Sequence, residues 1–306
     1  MVITKMVFKK NFNFFCINIL SIYCFLGCIF SIEEKNSLSI TLATKDLCIG
    51  TNRFSFVATD LNGFFNEPKI NITFQNSEKN IKIKSQFKFE NFPDSNIFPN
   101  NTSNLQGLYV STINFSKEGK WNLLVENKNN KPYEFQVNKI CKSIGIGETA
   151  PKSNTRTLND TPIDKITTDY EPVKDFYKIS IDNALLNQKP ILILFSSPAF
   201  CTSPVCGPQI ETMKFIHEKY GDLINIIHVD TYLNVQELKS DFSKRKINPV
   251  LKYWGIEEGQ WTFLVDSNNL IVSKFENFVS EKEISLYLEK IINKKAKTIS
   301  EFYKKS

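Results

Sequence analysis

Two cysteines pose the chemical question. Cys201 and Cys206 are separated by four residues, follow the apolar run Ile191-Leu-Ile-Leu-Phe195 and lead directly into Gly207-Pro208. A thiolate is the nucleophile of thiol–disulfide exchange, and unpaired N–H groups at a helix N-terminus stabilise it. Pro208 suits the first position of a helix, with Gly207 as its cap, which places Cys206 just before the helix in its electropositive mouth. On one continuous helix, residues five apart would lie ~7.5 Å apart along the axis. That exceeds the ~4.4–6.8 Å between the Cα atoms of a disulfide. Pairing therefore requires a loop over 201–206, which Pro204 favours. A redox pair, a structural staple and a metal site are the three readings, in that order.

The other chemistry-bearing residues are few. Cys48 and Cys141 bracket a β-rich segment, and we expect them to form a structural disulfide. His217 falls about three turns along the helix after Cys206 and reads as a partly exposed surface residue. His228 ends an apolar strand and reads as a hydrogen-bonded, semi-buried histidine, with tuning of the thiols as the sharper alternative. With only two His in the chain, neither a four-ligand zinc site nor a copper site is supported, and no metal or cofactor is expected.

The elements that would position these residues change character along the chain. Between 37 and 141, short runs rich in Ile, Val, Phe and Thr alternate apolar with polar residues. They begin at Ser37, Arg53, Lys69, Tyr109, Trp121 and Tyr133, and Asn62-Gly63 and Glu118-Gly119 supply turns. This pattern predicts an all-β, immunoglobulin-like sandwich. Residues 142–171, rich in Gly, Pro, Thr and Ser, read as a linker that lies along one domain. From 172 to 292 helical and strand periods alternate: a helix from Ser180, strand 191–195, helix 208–220, strand 223–229 and a helical stretch near 234–246. A hairpin of 261–265 and 270–275 follows, then a helix opened by the box Ser280-x-x-Glu283. Unbroken apolar strands imply a sheet covered on both faces. The expectation is two domains, all-β followed by α/β, with a basic tail at 293–306.

Charge and targeting bound the setting. The chain has 306 residues and a net charge of +6, yet the basic excess sits at its ends. Residues 1–32 carry Lys5, Lys9 and Lys10 without acids, and the last 14 residues carry five Lys against one Glu. A nucleic-acid partner would need a basic face in the body and is not expected. An apolar run from Phe12 to Ile32 after the basic start predicts a signal peptide or membrane anchor, with Cys28 in Phe25-Leu-Gly-Cys28 as a candidate lipidation site. The rest of the chain is then expected outside the cytoplasm and tethered to the membrane.

The stretch from Lys189 to Pro208, with Pro198-Ala-Phe-Cys201 and Cys206-Gly-Pro208, resembles the active-site region of the thioredoxin-like superfamily. Gly50-Thr-Asn-Arg-Phe-Ser-Phe, Gly119-Lys-Trp121, Ile227-His-Val-Asp230 and Gln260-Trp-Thr-Phe-Leu-Val-Asp266 extend the likeness. Over about residues 48–288 the chain looks like exported bacterial proteins with an Ig-like domain before a thioredoxin domain. The resemblance implies a thiol–disulfide oxidoreductase acting on protein thiols or disulfides through Cys201 and Cys206. A binding protein with a structural disulfide is the alternative. Distance from Phe195 favours Cys201 as the attacking thiol, while Cys-Gly-Pro favours Cys206. Phe200, Gln260 and Trp261 are candidates to line a peptide groove, with core packing the alternative for Trp261. Two departures stand out. Leu194 occupies the place of the family's buried Asp, and Gln260-Trp261 that of its cis-proline.

Overall fold

The computed structural model describes residues 37–93, 105–128, 131–201, 205–257 and 259–305. The expected export segment, with Cys28, lies outside them.

The first half is one antiparallel β domain: β1 (Ser39–Leu42), β2 (Gly50–Asp60), β3 (Gly63–Phe65), β4 (Lys69–Asn76), β5 (Lys82–Asn91), β6 (Gly107–Phe115), β7 (Gly119–Val125) and β8 (Tyr133–Val137). The hydrogen-bonded path runs β1-β2-β6-β5-β4-β7-β8, with β3 on β2. It is one continuous curled sheet, and its ends approach each other through a bridge from Cys48 to Asn138. Alternation drives the curl, because every second side chain points to one interior. Phe54, Phe56, Phe74, Phe87, Phe115, Trp121 and Phe135 fill it, with edge-to-face pairs such as Phe54–Phe74 at 5.0 Å. Asn62-Gly63 makes the expected β2–β3 hairpin, with Gly63 at φ +115°. Glu118-Gly119 instead joins β6 to β7, which are not neighbours. The sequence reading also missed β5, although Ile81, Ile83, Phe87 and Phe89 alternate with polar residues along it.

The second half is built on a four-stranded sheet. β9 (Ile191–Ser196) is flanked by parallel β10 (Asn225–Asp230) and antiparallel β11 (Trp261–Val265), and β12 (Ile271–Glu276) pairs with β11. β9 is buried throughout, because both faces are covered. Ile191, Ile193 and Phe195 enter one core with Trp254 and Phe263. Leu192 and Leu194 enter the other with Met213, Ile216 and Phe275. The helices are α1 (Ile163–Ile166), α2 (Ile181–Ala184), α3 (Cys206–Tyr220), α4 (Val235–Leu238), α5 (Val250–Tyr253) and α6 (Glu281–Lys305). The expected helix over 234–246 is shorter than predicted, and α5 was not foreseen. In α6 the Glu283 amide donates to Ser280 Oγ, as the capping box requires, and the helix runs on to Lys305 through the expected tail. The 142–171 segment is strapped to the α/β domain. Glu148 O accepts from Ile271 N, Ala150 N donates to Asn269 O, and Trp254 Nε1 donates to Ser153 Oγ.

The two halves are joined by buried polar contacts. Arg53 on β2 makes a forked pair with Glu283 on α6 at 2.9–3.0 Å and donates to Phe278 O. Glu276 accepts from the Lys45 and Asp46 amides at 2.7 and 2.9 Å. The Cys48–Cys141 disulfide ties the start of β2 to the end of the β domain, with Cα atoms 5.1 Å apart at a sequence separation of 93.

Two outcomes follow from these contacts. Closing so long a loop restricts the unfolded chain, so Cys48→Ala/Cys141→Ala should lose about 2–5 kcal/mol in urea unfolding. A loss below about 0.5 kcal/mol would mean that the strand ladder alone fixes this end. Burial holds the Glu276 carboxyl above the usual glutamate range, against the opposing pull of its two backbone donors. The folded chain therefore keeps that proton more readily than the unfolded one, and the group's contribution to stability falls as pH rises above about 4.3. The stability of the native chain relative to Glu276→Gln should shrink as pH rises above about 4.3. A relative stability that grows over this range would refute the assignment.

Candidate redox site

β9 ends at Ser196, and the chain then turns through a 3-10 turn, Pro198–Phe200, to Cys201 in extended backbone. Cys201 is bonded to Cys206, with Cα atoms 6.3 Å apart. The helix begins two residues earlier than expected. Cys206 is its first residue, after Val205, and Pro208 sits in the first turn, where a missing N–H costs little. A loop before a helix therefore solves the spacing problem. Cys206 is the first residue of a 15-residue helix, while Cys201 lies outside it.

Exposure separates the two sulfurs further. Cys206 is 5 % exposed, whereas Cys201 is half-buried. In exchange chemistry a partner thiolate attacks the reachable sulfur, and the bond breaks faster when the leaving thiolate is stabilised. Attack at Cys201 expels Cys206 as a thiolate at the helix N-terminus, so access and leaving-group stabilisation reside on different residues.

The surrounding shell is polar at the strand ends and apolar beneath. The Asp230 carboxylate, buried at the end of β10, accepts from Ser197 Oγ, the Thr168 amide and hydroxyl, and Tyr232 N. Ser197 Oγ also meets Thr231 Oγ1. This hub fixes the turn that carries Cys201 to the 167–168 strap and the 231–232 loop. Asp230 and Ser197 were not singled out from sequence; their signal was a pair of polar residues closing two apolar strands. His228 Nδ1 lies 2.6 Å from Tyr177 Oη, and its Nε2 is 3.2 Å from Ser196 O. The carbonyl accepts from Nε2–H, which leaves Nδ1 to accept from the tyrosine. Burial is the main influence pushing the His228 pKa down, keeping the ring neutral. His217 is a surface residue, 3.3 Å from Asp175.

The candidate groove residues divide. Phe200 stacks on Phe242 at 5.1 Å with Tyr232 edge-on to Phe242, and lines a hollow of about 540 Å³ together with Thr168, Tyr170 and Lys239. Trp261 lies in the core, stacked on Phe263, and borders a different hollow of about 690 Å³ near Cys48 and Cys141. Gln260 is 2 % exposed, and neither polar atom of its side chain has a hydrogen-bond partner. Its carbonyl accepts from Asn277 N. Among the described residues no peptide bond is cis, and Leu194 is packed in the core with Met213 and Ile216.

No family model matches the chain, and no curated protein matches it. Among solved structures, the chain is similar to a thiol:disulfide interchange protein of the thioredoxin family from Chlorobium tepidum TLS. That match has 15% identity and a TM-score of 0.32, and covers 49% of this chain and 99% of that one. It is also similar to a "putative protein disulfide isomerase" from Bacteroides thetaiotaomicron, at 17% identity and a TM-score of 0.32, over 48% of this chain and 87% of that one. The strand order β10-β9-β11-β12, with one parallel and two antiparallel pairings and a cysteine pair after the central β9, is that of the thioredoxin-like fold.

Proposed function

We propose that the protein is an exported, membrane-tethered thiol–disulfide oxidoreductase whose exchanging pair is Cys201 and Cys206. The observation that carries the reading is the bonded pair itself, with one sulfur reachable and the other on the first residue of α3. With the pair reduced, the Cys201 thiolate attacks one sulfur of a partner disulfide. A Cys201–partner S–S bond forms as the partner's S–S bond breaks, and one partner thiolate leaves. Cys206 then attacks Cys201 Sγ, expels the second partner thiolate and regenerates the Cys201–Cys206 disulfide. Two electrons pass to the partner, and each released thiolate takes a proton from solvent. The reverse sequence oxidises a partner dithiol.

Phe200, which lines the hollow with Tyr170 and Lys239, is the proposed contact to the partner. In this reading the β domain is Ig-like. Its path β1-β2-β6-β5 continuing into β4-β7-β8 supports that, because it follows the ABED and CFG order of such domains. Export is supported by the basic and apolar N-terminal sequence and by two disulfides in one chain, which suit an oxidising compartment.

Reduced Cys206→Ser should accumulate a mixed disulfide on Cys201 when mixed with a disulfide-containing peptide, and Cys201→Ser should accumulate at least about tenfold less. The native pair should equilibrate with glutathione at a potential between about −120 and −270 mV. A potential below about −300 mV without any trapped adduct would make Cys201–Cys206 a structural staple and the chain a binding protein.

A further inference from the structure

The outer face of the β domain breaks its own alternation beside the redox site. Tyr109, Ile113 and Phe115 of β6 point into the domain core. Leu108 and Val110 face the other way, yet Leu108 is fully buried and Val110 half-buried. Val57 of β2, Ala43 and Phe92 extend the same outer patch. An antiparallel sheet whose outer face met water would carry polar residues there. What covers this patch is Val205, the residue immediately before Cys206, together with Phe278 from the loop between β12 and α6. Phe92 meets the Phe278 ring edge-on at 4.7 Å.

The cover is fastened on both sides. Asn277 donates its amide N–H to Gln260 O and its side-chain N–H to Ala43 O. Phe278 O accepts from Arg53, and Val279 N donates to Gln209 Oε1 in the first turn of α3. Three consecutive residues thus tie the β domain, the Gln260 loop and the cysteine-bearing helix together.

We propose that the β domain is a fixed wall of the redox site, held by Arg53, Phe92 and Phe278, which seals Cys206 and leaves Cys201 as the sulfur a partner reaches. The wall rests on the redox reading only for its purpose; its geometry stands without it. A partner thiol would be steered to one sulfur, and the mixed disulfide would form on Cys201 with Cys206 kept behind it as the resolving group. Arg53, Phe92 and Phe278 would act as positioning residues.

Alkylation of the chemically reduced full chain tests this, with each cysteine followed by peptide mass spectrometry. Helix-terminal stabilisation alone would make Cys206 the faster thiol. The wall predicts the opposite order, with Cys201 alkylated at least about tenfold faster. In Arg53→Ala/Phe92→Ala, Cys206 should speed up by about tenfold, with Cys201 changing less than about twofold. The swap Arg53→Glu/Glu283→Arg restores the ion pair with reversed sense and should return Cys206 to within about threefold of its native rate. Equal rates for the two thiols in the native chain, or a Cys206 rate unmoved in the double-alanine variant, would overturn the wall. Failure of the redox reading would show separately, as an absence of exchange with disulfide peptides while the alkylation pattern persisted.

Discussion

The loop Asn277–Val279 is the contact on which the arrangement of the molecule depends. It is three residues long, and each makes a hydrogen bond to a different element: Ala43 and Gln260 through Asn277, Arg53 through Phe278, and Gln209 through Val279. Hydrogen bonds to a charged group or within a dry interface are stronger than exposed ones, and leaving one partner behind in such a site is costly. The Arg53–Glu283 fork lies in this setting, with side chains 10% and 21% exposed. The β domain is therefore oriented by directional bonds as well as by the apolar patch around Phe278. An apolar patch alone would tolerate sliding; a forked guanidinium pair does not.

That orientation changes the meaning of the cysteine spacing. With two intervening residues, the first cysteine of a pair can sit at the helix start while the second lies inside the first turn. Four intervening residues move the helix start to the second cysteine, so Cys206 takes the stabilising N–H groups and Cys201 is left on the preceding turn. Cys206 is then the buried cysteine and Cys201 the half-buried one. The Asp230 hub has the matching task at Cys201. By holding Ser197 and the strap at Thr168, it limits how far the turn can move when the disulfide opens.

The α/β half was legible wherever burial decides the pattern. The unbroken run Ile191–Phe195, the hairpin around Asp266–Asn269 and the Ser280 box each point to one structure, because a sheet covered on both faces and a capped helix leave local alternatives little room. The pairing of Cys48 with Cys141 followed from their positions at the edges of the β-rich segment. What escaped was set by distant partners. β5 alternates correctly, but its Lys and Gln residues gave no contrast with a solvated loop until β4 and β6 were seen to flank it. The helix starts at Cys206 just after Val205, which packs against the β domain, and no local rule contains that contact. The hydrogen-bonded path of the first domain was likewise hidden, since the pairing of β4 with β5 that makes the sheet continuous leaves no mark in the turn residues.

At the site itself, the residues that depart from the thioredoxin pattern are the ones sequence could name but not interpret. Leu194, which the resemblance sets at the place of a buried acid, is packed with Met213 and Ile216. The polar groups have instead gathered at the ends of β9 and β10, where Asp230 is saturated with hydrogen bonds and His228 is held neutral by burial. Gln260 completes the contrast. Where a cis-proline would present only backbone, a buried amide stands with its donor and acceptor both unengaged. An amide left without partners in such a place carries the cost of its desolvation.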